Sequence, residues 1–264
     1  MSGTLKSKCI GFVGVGVMGQ AIIKSLLAKS ATADQICITD KVLEKAEEVS
    51  SNLKVSLKNI SEIGQKCEVI LLAVKPQDLA KVLSELKTNI KPDSLVISIA
   101  AGKTIKFIEE NLGSKNPVIR VMPNTPALVG EGMAAISGGT YCTEKDLALA
   151  EKLLNGTGKV IRVEEHLQDA VTATSGSGPA YFFAFVEAMV AGAKDLGLNE
   201  SDAMTLTIQT IVGAAQLLDE SGKSPTTLRE NVTSPNGTTA AALASFAASD
   251  LNSTVAMAMK AARD

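Results

Sequence analysis

The sequence predicts an α/β protein in two parts: a doubly wound domain over residues 1–163, its parallel sheet covered by helices, then an all-α domain over residues 164–264. Three observations predict it. Short, uniformly apolar runs recur between amphipathic helical patterns from Cys9 onward, and strands apolar at every position are buried on both faces, as in a parallel sheet sandwiched by helices. A glycine-rich turn joins the first run to the first helical pattern. Beyond Glu164 the strand pattern stops and apolar residues fall at helical spacing instead.

The first run, Cys9-Ile10-Gly11-Phe12-Val13, leads into Gly14-Val15-Gly16-Val17-Met18-Gly19 and a helix carrying Ala21, Ile22, Leu26 and Leu27. Strand, G-x-G-x-x-G and helix stand in the order of a Rossmann-type dinucleotide site. Gly14 makes the tight turn, Gly16 lets backbone approach a pyrophosphate, and Gly19 lets helix and strand pack closely. A phosphate-free strand-to-helix turn is the other reading of the motif alone. The second run, Gln35-Ile36-Cys37-Ile38-Thr39, ends in Asp40, twenty-one residues after Gly19, close to the spacing of a ribose-binding acid. Asp40 favours NADH by repelling a 2'-phosphate, whereas Lys41 and Lys45 favour NADPH, so the choice between NADPH and NADH stays open.

The third, fourth and fifth runs are Val69 to Val74, Leu95 to Ile99 and Val118 to Met122. Ligands of open α/β sheets bind outside the carboxyl ends of the strands. Those ends carry Ala73-Val74-Lys75-Pro76, Ala100-Ala101-Gly102 and Met122-Pro123-Asn124-Thr125-Pro126. Each fits turn chemistry singly, and Lys75 singly fits a solvated lysine; side by side the three read as one wall of a nicotinamide pocket. Strand-like pieces at Gly132 to Ser137 and Lys159 to Val163 flank a helix near Glu144 to Leu154.

In the second part, a helix is expected from Pro179, after a Ser175-Gly176-Ser177-Gly178 loop, to about Leu196 before Gly197. Another carries Met204, Ile208, Ile211, Val212, Ala215 and Leu218 on one face and ends near Gly222. The Pro179 helix is apolar nearly all round, with Phe182, Phe183, Phe185, Val186, Met189, Val190 and Ala193. A hundred-residue helical tail has little material to cover it, so burial against a second copy in an intertwined helical dimer is expected. Further on, Glu230 to Thr239 sets hydroxyls and small residues ahead of an alanine-rich helix, Ala240 to Ala248. A helix N-terminus with unpaired N–H groups suits a small anion such as a carboxylate, although an ordinary N-cap also fits.

Composition narrows the chemistry. With 26 basic and 28 acidic side chains among 264 residues, no Trp and two Tyr, the chain has neither the clustered cations nor the aromatics that nucleic acid requires. The apolar run near Tyr181 to Ala193 is interrupted by Glu187 and too short to span a bilayer. No charged-then-apolar leader precedes the first strand, so a cytoplasmic location is expected. The single His166 speaks against zinc and Ser/His/Asp mechanisms. Cys9, Cys37, Cys67 and Cys142 lie far apart without metal-ligand spacing and read as buried small hydrophobes, so no metal is expected.

Five motifs in order, Gly14-Val-Gly-Val-Met-Gly19, Ala73-Val-Lys-Pro76, Val121-Met-Pro-Asn-Thr-Pro126, Ser175-Gly-Ser-Gly-Pro-Ala-Tyr181 and Val232-Thr-Ser-Pro-Asn-Gly-Thr-Thr239, make the chain resemble pyrroline-5-carboxylate reductases over nearly its whole length. Asn236 departs from the family's usual second glycine, and Asn tolerates the left-handed backbone that glycine supplies. The resemblance implies hydride transfer from NAD(P)H to the C=N carbon of 1-pyrroline-5-carboxylate, giving L-proline. It assigns the substrate carboxylate to the Ser234 hydroxyl and the N–H groups of Thr238 and Thr239, beside Gly237, and the ring nitrogen to the Thr239 hydroxyl, the catalytic candidate. It places the dinucleotide against the glycine loop with Val17 and Met18, Thr39, Asp40, Lys41, Asn59, residues 73–76, residues 100–102 and Asn124. It also implies interlaced dimers, commonly assembled into rings, in which the Ser234 to Thr239 loop closes the partner's cofactor pocket. Three alternatives stand beside it. A β-hydroxyacid dehydrogenase needs a lysine that the Ser177 to Phe183 turn lacks. A reductase of another cyclic imine differs only in pocket volume, and a non-catalytic dinucleotide sensor would lack the hydroxyls of 234–239.

Overall fold

The computed structural model describes residues 8–264; the expectation about a leader ahead of the first strand falls on residues 1–7, outside those described. Two compact units result, Met1–Gly176 and Ser177–Asp264.

In the first unit the apolar runs become β1 (Ile10–Val13), β2 (Ile36–Thr39), β3 (Ser56–Leu57), β4 (Val69–Leu72), β5 (Leu95–Ser98), β6 (Val118–Met122), β7 (Gly132–Gly138) and β8 (Gly158–Arg162). Among the described residues these eight form one sheet in the order β3-β2-β1-β4-β5-β6-β7-β8. The helices between them are α1 (Val17–Lys29), α2 (Leu43–Leu53), α3 (Ile60–Lys66), α4 (Leu79–Lys87), α5 (Ile105–Leu112) and α6 (Glu144–Leu154). Successive residues of a strand point to opposite faces, and both faces are filled. Ile10, Phe12, Ile38, Val69 and Leu71 pack with Ile22 and Leu26 of α1, Val49 of α2 and Leu153 of α6. Val13, Ile70, Leu72 and Val96 pack with Ile63 of α3, Leu83 of α4 and Ile108 of α5. The strand order turns back on itself at β1, which pairs with β2 on one side and β4 on the other. That switch point opens the crevice in which open α/β sheets take their ligands.

The parallel expectation fails at one seam. β6 and β7 run antiparallel, Arg120 opposite Ser137, whereas β7 and β8 are parallel again. The connection between β6 and β7 holds only a single turn, Thr125–Val129, too little chain to cross a sheet face, so the strand returns alongside its neighbour. α6 supplies the crossover between β7 and β8, opened by Thr143, whose N–H and hydroxyl both donate to Asp146 Oδ2.

A second departure precedes the helical unit. Where a Ser175–Gly178 loop was expected, α7 (Gln168–Val171) runs into a wide π turn over Thr172–Gly176. The Thr172 and Thr174 hydroxyls donate back to the Gln168 and Ala170 carbonyls at 2.9 and 2.8 Å, which holds a widened turn together. A Cβ at Gly176 would collide with the Met122 methyl group.

The helical unit comprises α8 (Gly178–Asp195), α9 (Glu200–Glu220), α10 (Pro225–Asn231), α11 (Thr238–Ala248) and α12 (Leu251–Arg263). α8 begins with proline in its first turn and is followed by Gly197 at φ +100°, a left-handed stop that glycine takes without strain. Asn199 caps α9 by accepting the Asp202 N–H at 2.9 Å. The Phe185 ring of α8 lies 6.4 Å from that of Phe246 in α11. Phe182 and Phe183 are each 63% exposed, and Met204, Leu206, Ile208 and Val212 of α9 are exposed as well; the apolar face noticed in the sequence is therefore uncovered in the single chain. No helix among the described residues is long and apolar enough to cross a membrane.

Candidate active site

Each glycine of the first turn meets a different physical demand. Gly14 sits at φ +98°, and a Cβ there would strike the Ala73 carbonyl oxygen. Gly19 is buried so closely that a Cβ would stand 2.7 Å from the Gly14 oxygen and 3.3 Å from the Ala73 Cβ. A Cβ at Gly16 would meet nothing within 4 Å apart from its chain neighbours. Gly16 is also the N-cap of α1, with no side chain bonded to the helix end and no acidic residue in the first turn. An open backbone on the positive end of a helix is a place for phosphate oxygens, so the residues present fit a dinucleotide. Val17 is 66% exposed and Met18 half-buried beside the loop.

The loop is stiffened from β2. The Gly14 N–H donates to the Thr39 carbonyl at 2.8 Å, and Asp40 accepts the Val15 N–H at 2.8 Å on one oxygen and the Val42 N–H at 3.0 Å on the other. The acid read as a ribose ligand thus also holds the glycine turn. Lys41 is tied to Asp78 at 2.7 Å, which takes one of the two cations away from any 2'-phosphate. Asn59 caps α3, its Oδ1 accepting the Glu62 N–H at 2.8 Å while the Glu62 carboxylate accepts the Asn59 N–H. That N–H, together with the Lys58 ammonium, holds the Glu62 carboxyl below the usual range.

Because β4, β5 and β6 are adjacent and parallel, the segments after them emerge together at one edge. Ala73 donates its N–H to Val13 at 2.8 Å; Val74 and Pro76 are half-buried and Lys75 exposed. Ala100 is buried, Ala101 exposed, and Gly102 stands at φ +69° with open space around it. Asn124 is occupied internally: its amide donates to the Ser175 carbonyl and hydroxyl at 3.2 and 3.1 Å, and its oxygen accepts the Met133 N–H at 2.8 Å. It braces the wall.

In the helical unit, Asn236 lies in the left-handed region at φ +59°, as its tolerance of that conformation led one to expect. The Gly237 N–H donates to the Ser234 carbonyl at 3.1 Å, and a Cβ at Gly237 would collide with the Ser234 hydroxyl. Gly237 is the N-cap of α11, again with no capping side chain, and Thr238 and Thr239 are its first two helical residues. Ser234 and Thr238 are exposed and Thr239 half-buried. Three hydroxyls therefore stand at the positive end of a helix with no capping side chain, an arrangement whose chemistry suits a small anion.

Two arrangements escaped the sequence. Arg120 is buried in β6 with its guanidinium 3.4 Å from both Glu165 and Asp169, and Glu165 also accepts the Ile105 N–H at 2.6 Å; a lone Arg in an apolar run was the available signal. The cysteines are not separate in space either. The Cys9 Sγ lies 3.0 Å from that of Cys67 and 3.7 Å from that of Cys37, and Cys9 and Cys142 are half-buried rather than buried. Separation along the chain, which argued against a metal site, says nothing once three elements bring the thiols together.

Comparison with known proteins gives two family matches. Residues 165–264 match the family described as pyrroline-5-carboxylate reductase dimerisation, and residues 9–102 match the one described as NADP oxidoreductase coenzyme F420-dependent. The pyrroline-5-carboxylate reductase of Haemophilus influenzae is 43% identical over 97% of this chain and 96% of its own. Among solved structures, a pyrroline-5-carboxylate reductase from Coxiella burnetii superposes with a TM-score of 0.93 at 35% identity, covering 97% of this chain and 96% of its own. The Plasmodium falciparum pyrroline carboxylate reductase with NADP bound gives 0.85 at 30% identity, with the same coverages.

Proposed function

The chain belongs to the pyrroline-5-carboxylate reductase family, and from that premise we propose how its own residues divide the work of reducing 1-pyrroline-5-carboxylate to L-proline. It is an NAD(P)H-dependent oxidoreductase acting on a C=N bond. The observation that carries the residue assignment is the uncapped amino end of α11, where Ser234, Thr238 and Thr239 gather around free backbone N–H groups.

Bound NAD(P)H supplies the hydride. Gly14, Gly16 and Gly19, with Val17 and Met18, give the dinucleotide its phosphate turn; Thr39, Asp40, Lys41 and Asn59 line its adenosine side; residues 73–76, residues 100–102 and Asn124 form its nicotinamide side. The Ser234 hydroxyl and the N–H groups of Thr238 and Thr239 take the substrate carboxylate, an anion matched to the helix dipole. With the carboxylate clamped, the five-membered ring has one free rotation left, and the Thr239 hydroxyl fixes it by hydrogen bonding at the ring nitrogen. An unperturbed hydroxyl is a weak acid, so Thr239 orients an imine that arrives protonated. This chemistry needs no covalent nucleophile. The test is oxidation of NADH or NADPH followed by absorbance with 1-pyrroline-5-carboxylate; turnover with L-proline as product is expected, and no turnover with either cofactor would favour the sensor reading.

Cofactor preference falls to NADH in this reading. The Asp40 carboxyl is held at the turn by the Val15 N–H, and Lys41 is paired with Asp78. Asp40→Asn is expected to raise the NADPH-to-NADH ratio of kcat/KM by about tenfold, the size of one like-charge repulsion screened by water. An unchanged ratio would remove Asp40 from the ribose site.

The exposed phenylalanines of α8 and the exposed face of α9 are read as the surface that a second copy covers, supported by the dimerisation family matched over residues 165–264. A ring of such dimers is the assembly proposed, to be read from the solution mass. A cytoplasmic location accompanies the reading, four free thiols being at home in a reducing compartment.

A further inference from the structure

Three of the four cysteines converge at the end of the sheet opposite the glycine turn. Cys9 immediately precedes β1, Cys37 is the second residue of β2 and pairs in register with Gly11, and Cys67 ends α3 just before β4. Their sulfurs all lie within 4.8 Å of one another, and among the described residues no His, Asp or Glu joins the group. Cys37 and Cys67 are buried, whereas Cys9 is half-buried and gives the group an edge toward solvent. Gly11 lies against the cluster: a Cβ there would come within 3.1 Å of the Cys67 sulfur.

We propose that Cys9, Cys37 and Cys67 form a three-thiolate site for one thiophilic d10 cation. Thiolates about 2.3 Å from a shared ion stand about 4 Å apart; Cys9 lies 3.7 Å from Cys37 and 3.0 Å from Cys67, so the Cys9–Cys67 pair has to open slightly to admit the ion. Sulfur-only ligation selects soft metals over Mg2+ or Ca2+. The third sulfur separates this arrangement from a disulfide, which uses only two. The Lys66 and Lys58 cations lie near enough to Cys37 to act on it electrostatically. The lysines also offset the negative charge that three thiolates leave around a low-charge ion. On binding, the thiols release their protons to solvent and three metal–sulfur bonds form, with no change of oxidation state. The ion ties the ends of β1, β2 and α3 together, so its effect falls on stability and not on the reductase site.

The test is anaerobic titration of the reduced full chain with Cd(II). A thiolate-to-metal charge-transfer absorbance saturating at one equivalent is expected, with a rise in Tm by mass action. Cys9→Ser, Cys37→Ser and Cys67→Ser should each weaken binding by more than about 100-fold, because losing a direct ligand exceeds the 10–100-fold typical of outer-shell changes. Cys142→Ser should leave it unchanged. Since a serine in the core can itself impair folding, alkylation of the unmutated protein gives a second reading: Cd(II) should protect Cys9, Cys37 and Cys67 and leave Cys142 as reactive as before. Absence of the band, its persistence in Cys9→Ser, or equal alkylation with and without Cd(II) would overturn the site.

Discussion

Gly16→Val is expected to yield a protein that folds like the parent and fails to hold NADH or NADPH. A Cβ at Gly16 would meet nothing within 4 Å apart from its chain neighbours, and the backbone is extended at φ −64° and ψ −179°, a region valine enters readily. The new side chain therefore starts in open space, and Tm should stay within a degree or two of the parent, roughly the scale of a neutral surface change. Its new atoms stand where the pyrophosphate must approach the N–H groups of α1. A loss of at least about 3 kcal/mol is expected, roughly 100-fold or more in Kd by titration calorimetry or fluorescence. Gly14→Ala provides the contrast: its Cβ strikes the Ala73 carbonyl at a left-handed φ, so it should lower Tm as well as affinity. A Gly16→Val protein with parental cofactor affinity would show that the turn carries no phosphate.

Thr239→Ala should separate chemistry from cofactor binding in the opposite sense. The hydroxyl belongs to the second residue of α11 and caps nothing, so its removal leaves the helix intact. With no hydrogen bond at the ring nitrogen, kcat is expected to fall about 100-fold, the lower end of what a positioned hydrogen-bonding group contributes, while NADH affinity stays within about threefold. Thr239→Ser, which keeps the hydroxyl, should recover most of the rate. Equal kcat in the alanine variant and the parent would remove Thr239 from the reaction. Ser234→Ala should act chiefly on KM, because a carboxylate contact is present in ground and transition states alike.

Much of this was legible in the chain, and for physical reasons. Short apolar runs recurring between helical patterns fit doubly buried strands, and Val69–Leu72 and Leu95–Ser98 fell where expected. Helices fell at Glu144–Leu154 and Gly178–Asp195 as expected, the second signalled by proline in its first turn and Gly197 after its end. Strand direction was not legible at β7, because alternation of side chains is the same in both directions and only the short connection after β6 decides it. The π turn at Thr172–Gly176 was missed because small polar residues read equally as loop. The internal bonds of the candidate site residues were not legible. Nothing in the spacing of Asp40 and Asn124 says that the first also holds the Val15 N–H, or that the second bridges Ser175 and Met133. The thiol cluster was invisible for the same reason: three contributions from three elements meet only after folding.

In the proposed reaction a hydride passes directly from NAD(P)H to the imine carbon of a substrate whose carboxylate is anchored elsewhere. The measurement that reaches it is the fate of the label when the enzyme turns over 1-pyrroline-5-carboxylate with NADH deuterated at the transferable ring position. The expected product is L-proline with one deuterium on the ring carbon formerly double-bonded to nitrogen and none lost to water. Unlabelled proline, or deuterium on the carbon bearing the carboxylate, would contradict it.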